Sequence, residues 1–402
     1  MAGLKYWVWL SEVKGLTNRS KLLLLDHFGT PENVYYADEE EYCLVPGIEP
    51  RQIALLAEKS MEQADRILGA CSRLGLRLLT MQDGEYPVRL RNIFEPPVLL
   101  YVKGSLPVLD EEAAISMVGT RKATPYGIET AEKIAYGLCR QGALVISGAA
   151  AGIDSASHRG ALRAGGKTVA VLGCGIDVVY PAGNEWLYRD IAASGALVSE
   201  YPPGSAAEAW HFPARNRIIS GLSLATIVVE APEKSGALIT ANTALEQGRD
   251  VFAVPGPIDA PMSRGCNRLV ADGAAALITD SWDVLREYEA MYPHKILGGR
   301  VELPRTLGYQ AREEQARAKR AAEEAPALPA LDLKTNDAGL TDDQIAILRA
   351  LKGGALQVDD LIERTQIPAR RVLSALTMLE LDGYAAQGGG KHFSLNVTLL
   401  EE

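Results

Sequence analysis

The sequence is poor in cysteine and has no long hydrophobic run. Its five cysteines are widely spaced without a Cys-x-x-Cys pair, which predicts neither a zinc site nor a disulfide framework and favours a reducing compartment. No apolar stretch approaches the roughly 18–20 residues of a membrane span, and the apolar start at residues 6–10 is cut short by Glu12 and Lys14, unlike a signal peptide. We therefore expect a soluble, cytoplasmic protein with no membrane partner.

The chain also lacks a positive net charge. Its 402 residues include 41 Lys plus Arg against 51 Asp plus Glu, for a formal net charge of −10. This balance argues against phosphate binding over the whole surface, so any nucleic-acid site must be a local basic patch. Length and the 47% hydrophobic content are those of an ordinary globular protein with two to four domains.

Residues 1–68 are rich in Leu and Glu in helix-like stretches, and they predict a small helical domain. The short turn at residues 45–48 is similar to the hairpins of helix-hairpin-helix and SAM-like modules. The acidic segment at 38–41 before it would repel phosphate, so a packing turn is favoured over a DNA contact.

Residues 69–300 alternate short apolar runs with helical stretches, which predicts an α/β domain with a doubly wound, extended Rossmann-like parallel sheet. Strands are expected at 114–118, 143–146, 168–172, 196–198, 225–229 and 251–254, with additional strands near 76–79 and 98–102. Ligands of such sheets bind beyond the carboxyl ends of the strands, so the loops there are expected to hold the functional residues.

Residues 301–338 are charged and Ala-rich and then contain Pro, which predicts a linker. Residues 339–402 follow a helix-turn-helix pattern with a Gly-rich ribbon, typical of a winged helix. This segment has six Lys plus Arg and nine Asp plus Glu. Because this charge tends to repel a phosphate backbone, a protein-contact role is at least as well supported as duplex recognition.

Motifs for cofactors, metals and catalysis are incomplete. The Gly165-Gly166-Lys167 stretch has Ala161 where a P-loop needs glycine, and it leads into a strand. No third glycine follows Gly173-Cys174-Gly175 as a dinucleotide site requires. Asp154 and His158 share a helix face without further ligands, which favours a helix-capping Asp. We therefore predict no cofactor, no metal and no catalytic set.

Cations near strand ends indicate an anion site instead. The candidates are Arg121, Lys167, Arg215, Arg217 and Lys234. Arginine and lysine beside glycine amides and helix N-termini are suited to phosphate oxygens. Phe212, together with Trp210 and His211, offers aromatic faces on which unstacked bases could lie. A core position is as well supported for Phe212 and is favoured for Trp210.

These motifs resemble the DNA-processing protein A (DprA, or Smf) family. The similar blocks, in order, are Gly119-Thr120-Arg121, Ser147-Gly148 with Gly152-Ile153-Asp154, Gly173-Cys174-Gly175-Ile176-Asp177, Ser199-Glu200-Tyr201-Pro202, Phe212-Pro213-Ala214-Arg215-Asn216-Arg217, Ser235-Gly236-Ala237-Leu238, Val254-Pro255-Gly256 and Gly265-Cys266-Asn267-Arg268. The resemblance implies a homodimer that binds single-stranded DNA, protects incoming DNA during natural transformation and loads RecA, without catalytic turnover.

By motif, the resemblance also implies the site residues. Arg121, Lys167, Arg215, Asn216 and Arg217 would contact phosphates together with Lys234, Phe212 would be the stacking candidate, and the amides of Gly148, Ala149 and Gly236 would complete the pocket. The family commonly carries a larger residue at Ala149. Replacing Arg121 or Arg217 by Ala is expected to weaken DNA binding while leaving the melting temperature nearly unchanged.

An enzyme is the alternative. Ser235-Gly236-Ala237, followed by Thr240 and Glu246, is distantly similar to the nucleotide loops of phosphoribohydrolases, which release a base from a nucleoside monophosphate. Those enzymes carry a Pro-Gly-Gly-x-Gly-Thr-x-x-Glu block, and its Gly-Gly pair and its Glu spacing are missing here. Release of adenine from AMP would distinguish the two functions.

Overall fold

The computed structural model describes residues 3–299, 301, 330–333, 336, 338–352, 354, 356–387 and 392–400. The chain divides into two compact units, Met1–Glu314 and Gln315–Glu402. In the part that the structure describes, no helix is long and apolar enough to cross a membrane.

The first unit begins with six helices, as the Leu-rich pattern predicts. They are α1 (Leu4–Glu12), α2 (Asn18–Phe28), α3 (Pro31–Tyr36), α4 (Glu39–Cys43), α5 (Pro50–Leu56) and α6 (Glu62–Leu74). Side chains at the N-caps explain several helix starts: the Thr17 hydroxyl accepts a hydrogen bond from the Ser20 amide, and Asp38 and Glu41 form a capping box. The predicted turn at residues 45–48 lies between α4 and α5.

A nine-stranded sheet follows, and it confirms the predicted Rossmann-like fold. Its strands are β1 (Arg77–Thr80), β2 (Leu99–Gly104), β3 (Ala114–Val118), β4 (Leu144–Ser147), β5 (Thr168–Leu172), β6 (Ala196–Ser199), β7 (Ala225–Val228), β8 (Asp250–Ala253) and β9 (Ala276–Leu277). Their order is β1-β2-β6-β5-β4-β3-β7-β8-β9. The strands from β3 to β9 pair in parallel, whereas β2 pairs antiparallel with both β1 and β6.

Helices cover both faces of this sheet. They are α7 (Val88–Arg91), α8 (Pro125–Arg140), α9 (Ile153–Arg163), α10 (Glu185–Ser194), α11 (His211–Gly221), α12 (Gly236–Glu246), α13 (Arg264–Ala271) and α14 (Trp282–Leu285), with 3-10 turns at Leu109–Glu111 and Ala182–Asn184. Alternate residues of β3 point to opposite faces: Ile115 packs in a core with α8 and α9, and Val118 in a core with α11 and α12. Burial on both faces explains why these strands read as continuous apolar runs.

The helical segment and the sheet share a hydrophobic core. Trp9 and Leu10 of α1 belong to the same buried cluster as Leu99 and Tyr101 of β2. The expected boundary between residues 68 and 69 falls inside α6, so the helices and the sheet form one compact unit.

The second unit has the predicted winged-helix elements. They are β10 (Ala330–Asp332), α15 (Asp342–Leu351), β11 (Leu356–Gln357), α16 (Val358–Thr365), α17 (Ala369–Leu381), β12 (Ala385–Gln387), β13 (His392–Leu395) and β14 (Thr398–Leu400). Strands β12 and β13 pair antiparallel, while the Gly-rich residues 388–390 between them lie outside the described residues. A capping box of Thr341 and Gln344 starts α15.

The winged-helix unit includes residues before 339. Strand β10 pairs in parallel with β14, and the side chains of Leu331 and Leu333 are buried in the core of this unit. The expected linker at 301–338 therefore contains part of the folded unit, and residues 302–329 of that linker lie outside the described residues. Among the cations of this unit, Arg371 forms a two-point ion pair with Asp343, with distances of 2.8 and 2.7 Å.

Candidate nucleic-acid interface

A cavity of about 360 Å³ opens at the carboxyl ends of the central strands. The strand order reverses between β3 and β7, and the loops that follow these two strands lie on opposite sides of this point, where doubly wound sheets bind ligands. The walls of this cavity come from the loops after β3, β4 and β7 and from helices α9, α11 and α12. They are lined by Val118, Gly119, Thr120, Arg121, Ala150, Asp154, Ala209, Phe212, Pro213, Arg215, Asn216, Ile219, Pro232, Lys234, Ser235, Gly236, Ala237, Ile239 and Thr240.

The N-terminus of α12 forms one wall. Ser235 is the N-cap residue, and its hydroxyl accepts a hydrogen bond from the Ala237 amide at 3.2 Å. Gly236 is exposed, and a Cβ atom added to it would have no neighbour within 4 Å. Lys234 is exposed at the same rim. Amides at a helix N-terminus beside a lysine favour an anion, so this wall suits a phosphate.

Arg121 is the second exposed cation of the cavity. It follows β3, and its guanidinium lies 4.6 Å from the centre of the half-buried Phe212 ring. The turn before it is fixed because the Thr120 amide donates to the Glu230 carbonyl at 2.7 Å. A cation held over an aromatic ring in this way has fewer conformations to lose when it binds an anion.

Arg215 lies beneath this surface. Only 3% of it is exposed, and its Nη1 donates hydrogen bonds to the carbonyls of Gly148, at 2.9 Å, and Val171. Its Nε donates to the Asn216 side chain, which also lines the cavity. Because burial disfavours its charge, the pKa of Arg215 is lowered from its ordinary value. Three internal acceptors therefore hold Arg215 as the floor of the cavity.

Asp154 of α9 balances that buried charge. Burial raises the pKa of its carboxyl group, and the nearby Arg215 charge and backbone hydrogen bonds oppose the rise. Its Oδ2 atom accepts a hydrogen bond from the Ala150 amide at 3.4 Å. The Asp154 carboxylate therefore already accepts the Ala150 amide in this part of the site.

The sequence predicts that the backbone amides of Gly148 and Ala149 line the pocket, and the structure places both residues elsewhere. Neither residue lines the cavity, where Ala150 stands instead. Both are buried, and Ala149 has a φ of 51°, with its carbonyl accepting from the Asn184 side chain at 2.9 Å. A Cβ atom at residue 148 would fall 2.6 Å from Asp154 Oδ2, so glycine is required there by the packing of Arg215 and Asp154.

Arg217 is not in the cavity. Its guanidinium forms a two-point ion pair with Glu200, at 2.9 and 2.7 Å, and Asn18 of α2 donates a hydrogen bond to the same carboxylate. Although burial acts against it, the Arg217 charge holds the pKa of Glu200 below its ordinary value. The structure thus gives Arg217 an internal partner that connects α11 with the helical segment.

Lys167 also lies apart from the cavity. It immediately precedes Thr168, the first residue of β5, so it stands at the amino end of a parallel strand. The cavity is at the carboxyl ends, which the five-residue strand separates from Lys167 by about 16 Å. The prediction that Lys167 joins the other cations at the carboxyl edge is wrong in this respect.

Of the two aromatic residues, Trp210 differs from its favoured sequence expectation. Trp210 is 64% exposed, so its prediction as a core residue is wrong. Phe212 lines the cavity and packs against Tyr180, with ring centres 5.3 Å apart. The exposed Trp precedes α11 as its N-cap residue, a position that periodicity does not assign to either face.

Sequence reasoning missed the role of Ser235 as the N-cap residue of α12. Its position directly before an apolar helix is the signal of an N-cap, and the structure places its hydroxyl on the Ala237 amide. The described residues contain no cluster of three metal-ligating side chains. His158 is buried with Nδ1 2.7 Å from the Thr168 hydroxyl, and burial lowers its pKa to about 3.

Comparisons with known proteins agree with this architecture. The model of the DNA recombination-mediator protein A family matches residues 77–289, and the DprA winged helix domain matches residues 316–391. Protein Smf of Synechocystis is 34% identical over 403 residues, covering 96% of this chain and 98% of that protein. DNA processing protein DprA of Bacillus subtilis is 40% identical over 237 residues, covering 58% of this chain and 80% of that protein.

A solved structure supports the same assignment. DNA processing protein A from Streptococcus pneumoniae has a TM-score of 0.61 and 38% sequence identity, over 70% of this chain and 97% of that chain. The similarity therefore includes both the sheet with its cavity and, through the family models, the winged helix. This confirms the resemblance inferred from the motifs, and the chain belongs to the DprA (Smf) family of DNA processing proteins.

Proposed function

We propose that the cavity binds the sugar-phosphate backbone of single-stranded DNA without breaking a bond in it. The observation that carries the proposal is the pair of exposed cations, Arg121 and Lys234, which both line one cavity at the N-terminus of α12. A phosphate near both would meet two positive charges and the positive end of a helix dipole, at the exposed Gly236.

The shape of the site favours an unpaired strand over a duplex. A cavity of about 360 Å³, set below the rim, is large enough for a few groups of one nucleotide but not for a double helix. Unpaired DNA can bend its backbone into such a cavity and leave its bases free for aromatic side chains nearby.

Membership of the family supports the wider role. We propose that this chain acts as a homodimer that protects incoming single strands during natural transformation and loads RecA onto them. Sedimentation of the protein would test the dimer, and the rate of RecA assembly on single-stranded DNA would test the loading. A monomer at micromolar concentration, or an unchanged assembly rate, would contradict these two parts separately.

A titration of labelled single-stranded and duplex DNA at several salt concentrations tests the binding proposal. We expect tighter binding to the single strand, with an affinity that falls as salt rises because counterions are released. Arg121→Ala should weaken binding by about 1.5–3 kcal/mol. Arg73→Ala, which removes an exposed arginine of α6 outside the cavity, is the matched control and should bind as the unaltered protein does.

Equal affinity for duplex and single strand, or salt-independent binding, would contradict the proposal. The enzyme alternative has its own test, in which the protein is incubated with AMP and free adenine is measured. Release of adenine that Arg121→Ala abolishes would favour a phosphoribohydrolase in the same cavity.

A further inference from the structure

A second groove, of about 560 Å³, lies beside the edge strand β1. Helix α2, the turn that follows β1 and the end of α7 supply its walls. It shares no residue with the cavity described above. Strand β1 stands five positions from β3 in the sheet, a separation of about 24 Å. The groove is therefore a separate site on the first unit.

Aliphatic side chains line much of this groove. They are Leu22, Leu23 and Leu25 of α2 and Met81, which follows β1. Leu25 is buried, whereas the other three are half-buried and keep part of their apolar surface open. Aliphatic side chains offer no aromatic face for a nucleic-acid base, so this surface is better suited to the apolar side chains of a peptide.

Two arginines line the same groove. Arg19, in the first turn of α2, is exposed, and among the described residues no carboxylate forms an ion pair with it. Arg91 is half-buried: its Nη2 donates to the Asp83 carbonyl at 3.3 Å, and its guanidinium lies 5.6 Å from the centre of the Tyr86 ring. Both guanidinium groups therefore keep a positive charge that no carboxylate of the described residues balances, and a bound carboxylate can do so.

Asp26 gives the groove a direction. It lies seven residues after Arg19 on the same face of α2, roughly 10 Å along the helix axis. Its carboxylate repels an acidic residue at that end of the groove, whereas Arg19 attracts one at the other end. The arrangement favours a segment whose acidic residues lie toward Arg19 and whose apolar residues lie along Leu22 and Leu23.

Hydrogen bonds hold the walls of the groove in place. The Gln82 side-chain amide donates to the Gly29 carbonyl at 2.6 Å, which connects the turn after β1 with the end of α2. The Met81 amide donates to the Val98 carbonyl at 3.0 Å. Because these walls are formed before binding, only the incoming segment has to be ordered.

We propose that this groove binds an acidic peptide segment of another protein. Carboxylates of the segment pair with Arg19 and Arg91, and its neighbouring apolar side chains pack on Leu22, Leu23 and Met81. The inference does not depend on the proposed DNA binding, because the groove and the cavity have no residue in common. A partner protein and a DNA strand can therefore be held at the same time.

Fluorescence anisotropy with fluorescein-labelled peptides tests this inference on the full-length protein. The probe is Asp-Asp-Leu-Leu-Asp-Leu, and two control peptides replace either its acidic residues by Lys or its Leu residues by Ser. We expect saturable binding of the probe alone. Its affinity should fall as salt rises, because salt screens the ion pairs.

Arg19→Ala should weaken binding of the probe roughly three- to fivefold, and Arg19→Ala combined with Arg91→Ala roughly tenfold. Arg51→Ala removes an exposed arginine of α5 outside the groove, so this matched control should bind the probe as the unaltered protein does. Arg19→Glu should lose the acidic probe and gain binding of the Lys peptide, a gain that a misfolded protein would not show.

The inference would be overturned by the absence of saturable probe binding, by equal binding of all three peptides, or by an unchanged probe affinity in both Arg19 variants. Single-stranded DNA should bind equally well to the unaltered protein and to the Arg19→Ala, Arg91→Ala double variant. A loss of DNA affinity in that variant, with the probe unaffected, would assign the groove to DNA instead. Failure of the unaltered protein to bind any single strand would overturn the proposed function and leave the peptide groove standing.

Discussion

Arg217 donates two hydrogen bonds to the two carboxylate oxygens of Glu200, at 2.9 and 2.7 Å, inside the first unit. Arg217→Ala would leave the largely buried Glu200 carboxylate without its ion-pair partner and with only the Asn18 hydrogen bond. Removing one partner of a buried ion pair typically costs about 3–5 kcal/mol, and the remaining exposure of Glu200 places it at the lower end. We therefore expect a large drop in the melting temperature, measured by circular dichroism, in contrast to the sequence expectation of an unchanged one. Arg121→Ala, at an exposed position, should melt as the unaltered protein does.

The double variant Arg217→Met with Glu200→Gln is the control for this prediction. It removes both charges and keeps much of the volume, so it should recover a large part of the lost stability. An Arg217→Ala protein that melts normally but fails to bind DNA would show that Arg217 contacts the strand after all.

Lys234 and Lys167 provide a matched pair of exposed lysines at opposite ends of the parallel strands. We expect Lys234→Ala to weaken binding of a short oligonucleotide and to reduce the salt dependence by about one phosphate contact, a slope change of ~0.7. Lys167→Ala should have little effect in the same anisotropy titration. If Lys167→Ala weakened binding more than Lys234→Ala did, the DNA would lie along the amino edge of the sheet instead.

His158 makes stability depend on pH. Its pKa is about 3 in the folded protein because it is buried, against about 6.5 in an unfolded chain. Between these values the unfolded chain binds a proton that the folded protein does not, so the free energy of unfolding falls as pH falls below about 6.5, by up to ~1.4 kcal/mol per unit. Above that pH the residue contributes no pH dependence.

His158→Asn removes this proton and retains a polar atom toward Thr168. Urea unfolding at several pH values between 6.5 and 5 should therefore show a smaller slope for the variant, even if its stability at neutral pH is lower. Identical slopes for the two proteins would show that His158 does not cause the dependence.

Gly148 and Gly236 are predicted to respond differently to alanine. A methyl group at 148 would fall 2.6 Å from Asp154 Oδ2, so Gly148→Ala should destabilise the protein by about 1–3 kcal/mol. No atom lies within 4 Å of a Cβ atom added at residue 236, so Gly236→Ala should melt as the unaltered protein does. It should bind DNA more weakly, because the methyl group restricts the approach of a phosphate to the amides at the start of α12. Unchanged DNA affinity of Gly236→Ala would place the phosphate away from this helix start.

The sheet could be predicted closely from the sequence because its signal is local. Strands β3 and β5 begin and end where their predicted runs do, since burial on both faces favours apolar residues along the strand. Their two polar residues, Ser116 and Thr168, are buried and hydrogen-bonded within the sheet. The loops after the parallel strands were predicted to hold the functional residues, and Arg121 after β3 and Lys234 and Gly236 after β7 do line one cavity.

The direction in which each arginine side chain points could not be predicted from spacing alone. Arg215 and Arg217 are two positions apart on α11, which turns their side chains about 200° from one another. One reaches the carbonyls beneath the cavity and the other reaches Glu200, a residue seventeen positions earlier. The exposure of Trp210 likewise depends on Tyr201 and His211, which hold it at the surface through contacts that only the tertiary structure provides.

The core that joins Trp9 and Leu10 with Leu99 and Tyr101 has a practical consequence for dissecting the molecule. Deleting the first 68 residues would cut α6 in two and leave one flank of the sheet uncovered to water, so aggregation of such a fragment would say nothing about which residues touch DNA. Point substitutions within the intact chain are therefore the better way to separate the contributions of the helical segment and the cavity to DNA binding.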